Sequence, residues 1–100
     1  MTALSRLLAN GGLNYFDVVY IDGSHSASDV LTDAVLAFHL TRVAGVMIFD
    51  DYLWYQEGPE QRNPLTAPKI AIDAFLNIFQ RKVDILRQPL YQVYARKIAD

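Results

Sequence analysis

The 100-residue chain contains no cysteine, which removes disulfides, thiolate zinc sites and cysteine nucleophiles at once. No apolar stretch approaches the roughly 20 residues that a bilayer-spanning helix needs, and no basic segment leads into an apolar one at the N-terminus. A soluble, cytoplasmic protein with no membrane partner is therefore expected. The nine Lys and Arg residues are scattered and the net charge is -2, so no basic run is present to neutralise a phosphate backbone, and nucleic acid is not an expected partner. Low-complexity tracts are also missing. What the chain does have is 52% hydrophobic against 20% charged residues, a balance that folds throughout. Its length suits one small domain burying roughly two-thirds of its unfolded surface.

The patterning alternates between helix and strand. Residues Thr2 to Asn10 can form a short helix with Leu4, Leu7 and Leu8 on one face, stopped at Gly11 and Gly12. Phe16 to Ile21 is a β-branched and aromatic run that ends abruptly at Asp22-Gly23, the pattern of a central parallel strand buried on both faces. Ser26 with Asp29 three residues later resembles a capping box, and Val30, Leu31, Ala34, Val35 and Phe38 give an apolar stripe to about Arg42. Val46 to Phe49 is a second buried-strand pattern ending in acid, Asp50-Asp51. A strand, helix, strand unit with a right-handed crossover puts both strand C-termini on the same edge of one sheet.

Residues 52 to 66, with Gly58, Pro59, Asn63 and Pro64, read as a loop over that edge. Thr66 as cap, with Pro68 just inside, opens a further helix with Ile72, Phe75, Leu76 and Phe79 on one face, ending near Lys82. Val83 to Arg87 and Leu90 to Ile98 then read as two antiparallel strands about a Gln88-Pro89 turn. The fold class is α/β, with no linker dividing residues 1–100.

Asp22 follows one strand and Asp50-Asp51 the next, the position at which open α/β sheets bind ligands. Adjacent strands lie roughly 4.8 Å apart, so three carboxylates would meet and repel unless protonated or neutralised. An oxygen-only donor set suits Mg²⁺ or Ca²⁺ better than zinc. Alternatively, Asp22 is a turn residue leading into the helix. His25 sits where an imidazole can act as general base, or can hydrogen-bond the backbone at the helix entry. His39, near a helix C-terminus, reads as packing. Tyr52, Trp54 and Tyr55 can form a wall for a planar ligand, or pack the loop down.

The strings FDVVYIDGSHSASDVLTDAVLAF and GVMIFDDYLW, in that order and spacing, resemble class I S-adenosylmethionine-dependent methyltransferases, nearest to the small-molecule O-methyltransferase group with IDG-x-H and DDY strand ends. The resemblance implies the C-terminal half of a Rossmann-like sheet: helix, strand, helix, strand, helix, antiparallel hairpin. It further implies a divalent ion on Asp22, Asp50 and Asp51, cofactor contact at Asp22 and Gly23, and methyl transfer to a small-molecule acceptor. Where relatives place their base, this chain has Ser24 and His25. The glycine-rich turn and second-strand acid that grip the cofactor in the family have no counterpart here. A truncated or fragmentary methyltransferase, weak or inactive by itself, is the expectation, associating as a homo-oligomer through the exposed strand or the first helix. Its rivals are a non-catalytic α/β interaction domain and, with less support, a metal-dependent phosphoryl-transfer enzyme, for which no phosphate-cradling loop is visible.

Overall fold

The computed structural model describes residues 6, 9–22, 26–55, 58, 60–86 and 91–100. In chain order it contains β1 (Phe16–Ile21), α1 (Ala27–Leu40), β2 (Thr41–Phe49), a 3₁₀ turn (Pro64–Thr66), α2 (Lys69–Ile78), β3 (Val83–Leu86) and β4 (Val93–Lys97). The strands form one mixed sheet in the order β1-β2-β4-β3. β1 and β2 are parallel, and β4 runs antiparallel between β2 and β3. The last strand is thus inserted beside β2 rather than added outside β3. This is the partial Rossmann-like α/β architecture that the motifs imply.

Strand periodicity sorts the side chains between two faces. Val19, Ile21, Met47, Phe49, Val83, Ala95 and Lys97 are buried with the inner residues of α1 and α2. Phe38, Phe49, Phe75 and Phe79 make an aromatic cluster there, with centroids 4.9 Å apart for Phe38 and Phe79 and 5.6 Å for Phe49 and Phe75. Such offset pairs add modestly to the burial of their area. On the opposite face, Val18 and Tyr20 are 56% and 51% exposed, while Val46, Ile48 and Tyr94 are half-buried.

That distribution corrects the reading of β1 as a central strand buried on both faces. It lies at the sheet's edge, and among the described residues no helix covers its second face. A continuous apolar run reports that a strand can be covered twice, and the partner layer has to come from elsewhere in the structure.

Element boundaries move where tertiary contacts override local signals. α1 stops at Leu40, and β2 starts at Thr41, five residues before Val46. The register pairs Phe16 with Thr41 but Val18 with Val46, so residues between them bulge from β2, with Ala44 at φ 74°. Ser26 occupies the N-cap of α1 without a side-chain cap bond; its hydroxyl meets that of Ser28 at 2.8 Å, so the capping box does not form. Thr66 ends a 3₁₀ turn capped by the Asn63 carboxamide, which accepts from Leu65 N–H at 3.0 Å, and Pro68 is the N-cap of α2. α2 ends at Ile78, short of Lys82, where Phe79 leaves the helical conformation. The N-terminal helix lies mostly outside the described residues; a helical bond from Asn10 N–H to Arg6 C=O, 3.0 Å, marks its end. The Gln88-Pro89 turn lies outside them as well.

The C-terminus of α1 is closed by Thr41 and by partners distant in sequence. Its last carbonyls lack helical N–H partners beyond the C-cap bond from Thr41 N–H to Ala37 C=O. Ala37 C=O accepts from Thr41 Oγ1 at 2.7 Å, His39 C=O from Asn14 N–H at 2.8 Å and Leu40 C=O from Tyr15 N–H at 3.0 Å. Lys97 Nζ donates to Phe38 C=O and Thr41 C=O, both at 2.9 Å, and to Asn14 Oδ1 at 2.7 Å. First and last segments are thereby tied to one helix end.

Candidate functional site

The parallel register pairs Ile21 with Phe49, so the next residues, Asp22 and Asp50, emerge side by side at the C-terminal edge. A bond from Asp50 N–H to Ile21 C=O, 3.1 Å, continues the ladder to that point. In an extended strand Asp50 and Asp51 would project to opposite faces. Asp51 instead adopts the left-handed conformation, φ 56°, which a non-glycine residue enters at a cost and Asp tolerates better than most. One carboxylate oxygen from each of Asp22, Asp50 and Asp51 then lies within 4.8 Å of the others. The sequence expectation that the three acids converge is met in geometry.

Their environments differ. Asp50 accepts a hydrogen bond from Tyr20 Oη on one carboxylate oxygen, and Gln92 Nε2 approaches the other at 3.5 Å. The phenol, above all, holds the Asp50 carboxyl below its ordinary range. The same bond pushes the Tyr20 phenol up to about 12. Asp51 moves the other way, raised first by partial burial and then by the charges of Asp50 and Asp22. Tyr94 Oη extends the network to Gln92 at 3.3 Å. Tyr20 and Gln92 escaped the sequence reading. Tyr20 had a signal: two residues before Asp22 in a strand, it shares the face of Ile48, opposite it, and hence points toward the end of β2.

The expected acceptor wall divides. Tyr52 packs against the core, and its hydroxyl bonds Asp73, whose second oxygen receives Lys69 Nζ at 2.7 Å. Burial, with help from Asp73, raises the Tyr52 phenol, and the Lys69 ammonium is raised by Asp73 first and Tyr52 second. Tyr55 faces a cavity of about 230 Å³ with Pro64, Ala67, Lys69, Ile70 and Asp73, and Arg62 lies 4.5 Å above its ring. Trp54 is half-buried, and its backbone N–H donates to Asp51 C=O at 2.9 Å. Gly23 and His25 lie outside the described residues. No helix among the described residues is long and apolar enough to cross a membrane.

Two adjacent parallel strands ending in acids, with an antiparallel strand beside them, define a Rossmann-like α/β unit of the methyltransferase type. Residues 1–52 match the family described as Methyltransferase domain, and the chain belongs to that family. In three dimensions it is similar to a protein from Corynebacterium glutamicum, with a TM-score of 0.67 and 18% identity over the whole of this chain. The match spans 46% of the Corynebacterium chain. No curated protein matches.

Proposed function

We propose that the chain carries the metal and acceptor side of an S-adenosylmethionine-dependent methyltransferase, acting by O-methyl transfer on a small molecule. The observation that supports this is the convergence of three carboxylate oxygens within 4.8 Å at the ends of two parallel strands, in a chain of the methyltransferase family.

The donor set fits a hard divalent ion. Three like-charged oxygen ligands need neutralisation, and with no thiolate in the chain Mg²⁺ or Ca²⁺ suits them. Asp22, Asp50 and Asp51 would hold the ion, which supplies Lewis-acid stabilisation of an acceptor alkoxide. Tyr20 and Gln92 fix the orientation of Asp50 and keep it ionised. Tyr55 and the neighbouring cavity offer a bed for the acceptor. His25 is the assigned base, by its position three residues after Asp22. Asp22 and Gly23 are the assigned contacts to the methyl donor.

The uncovered β1 edge favours a second reading, an α/β interaction domain whose acids are turn residues. Thermal unfolding with and without Mg²⁺ separates the two. At a hundredfold excess over Kd a bound ion adds about 2.7 kcal/mol, and Asp50→Asn with Asp51→Asn should abolish that gain. Calorimetry with S-adenosylmethionine, in the presence and absence of Mg²⁺, tests the donor rim. An unchanged melt together with no heat removes the catalytic reading and leaves the interaction domain.

A further inference from the structure

A cavity of about 230 Å³ opens where α2 begins. Pro64, Ala67, Ile70 and the Tyr55 ring give it apolar walls, and Lys69 and Asp73 supply its charges. Tyr52 joins it to the three acids at the strand ends: its backbone follows Asp51, and its hydroxyl meets Asp73 on the cavity wall. An apolar cavity of about 150 Å³ holds a benzene molecule. The larger volume here has room for one aromatic ring with a small substituent at each end.

The charges around it do not cancel. Asp73 accepts from Tyr52 on one carboxylate oxygen and from Lys69 on the other, at 2.7 Å, so it is paired twice within the fold. Lys69, engaged by Asp73 and Tyr52, keeps a third donor. Arg62 is the surplus cation. Its guanidinium lies 4.5 Å over the Tyr55 ring, and among the described residues no carboxylate pairs with it. A guanidinium stacked by its face keeps its edge N–H groups for a planar carboxylate. Lys69 and Asp73 offset one another, which leaves one positive charge beside the cavity. A monoanion balances it, whereas the second charge of a phosphate would lie beside Asp73 with no cation left.

We propose that this cavity binds a single-ring monocarboxylate, its ring against Tyr55 and its carboxylate between Arg62 and Lys69, and that the methyl acceptor carries such a group. The assignment of the ligand as acceptor rests on the function proposed above; the binding itself does not. Charge separation gives such an acceptor one orientation. The three carboxylates repel its anionic end from the strand termini, and the two cations draw that end to the start of α2, so the hydroxyl is the end left facing Asp51. A neutral ring of the same shape lacks that bias.

The test titrates the whole chain, without metal or S-adenosylmethionine, with 4-hydroxybenzoate, with 4-hydroxybenzamide as its neutral counterpart and with phenyl phosphate as the dianion. The benzoate should bind about tenfold more tightly than the amide, a difference of about 1.4 kcal/mol, and should shift the backbone amide resonances of Ile70 and Asp73. Arg62→Gln, at an exposed position, should remove that preference, and Tyr55→Leu should weaken both ligands alike. Arg42→Gln, near the start of β2 and so at the opposite end of the sheet, should leave both affinities unchanged. Equal affinity for acid and amide in the folded protein, a preference that survives Arg62→Gln, or resonance shifts gathered away from the cavity overturns the proposal. Tighter binding of phenyl phosphate overturns it in favour of a dianion. If the benzoate binds as expected while Mg²⁺ gives no stabilisation and S-adenosylmethionine no heat, the site stands and its role as acceptor anchor falls. If Mg²⁺ and S-adenosylmethionine bind but the anion is not preferred, the methyltransferase reading stands and the site falls.

Discussion

Lys97 is 1% exposed, yet its short hydrogen bonds reach the end of α1, the first residue of β2 and the approach to β1. Its ammonium lies 4.2 Å from the centre of the Phe38 ring and 3.4 Å from Asp100. Three donors meet three acceptors from the β1 approach and the end of α1, a full use of the group. Lys97→Met removes those donors and leaves buried carbonyls unsatisfied at about 1–3 kcal/mol each. We expect a loss of about 3 kcal/mol and a Tm lower by more than about 10 °C, read by calorimetry. Asp33, half-buried on α1, has its carboxyl raised by burial first and by Asp29 second. Its ionised form is disfavoured in the fold, so the penalty is absent below the unfolded-state pKa and grows as pH rises through the higher folded-state value. Asp33→Asn should therefore stabilise at neutral pH by about 0.2–0.5 kcal/mol and be silent in acid, in paired urea titrations.

Among the elements, β2 does the most positioning. It lies between β1 and β4, begins directly after α1 and delivers two of the three acids. The sharp passage from helix to strand depends on Gly45. A Cβ there would sit 2.7 Å from Thr41 Cγ2, 2.8 Å from Asp17 C=O and 2.9 Å from Arg42 C=O. Backbone on two sides cannot yield cheaply. Gly45→Ala should cost about 1–3 kcal/mol, and amides from Phe16 to Val18 should lose exchange protection because the bulge faces them. Sequence signals matched the strand cores and the start of α1, with Ser26 at its N-cap, and missed the start of α2, whose N-cap is Pro68. Thr66 looks like a helix cap in sequence, yet it ends a 3₁₀ turn that Asn63 caps.

On the scale of the whole molecule, among the described residues, a single helical layer covers one face of a four-stranded sheet. Protection against hydrogen exchange should follow that asymmetry. Met47 and Ala95, buried in the inner strands β2 and β4, should be the slowest strand amides. Val18 and Tyr20, whose backbone groups alternate with those facing β2, should be the fastest within β1. Equal protection of both sets would contradict the sheet order.

Asp22, Asp50 and Asp51 could be placed together from sequence because hydrophobic runs mark strands, and a crossover of that length aligns their ends. The family was legible for the same reason: its motifs are strand ends, local strings whose spacing survives without the rest of the fold. Tertiary structure alone decided that Asp50 is held by Tyr20 and Gln92, that Tyr52 turns into the core toward Asp73, and that Lys97 closes α1. These contacts join residues 21 to 59 positions apart, across elements whose packing no local pattern encodes. The edge position of β1 belongs to the same class. An apolar strand records its capacity to be covered, and the assembled sheet determines which face and which edge remain open.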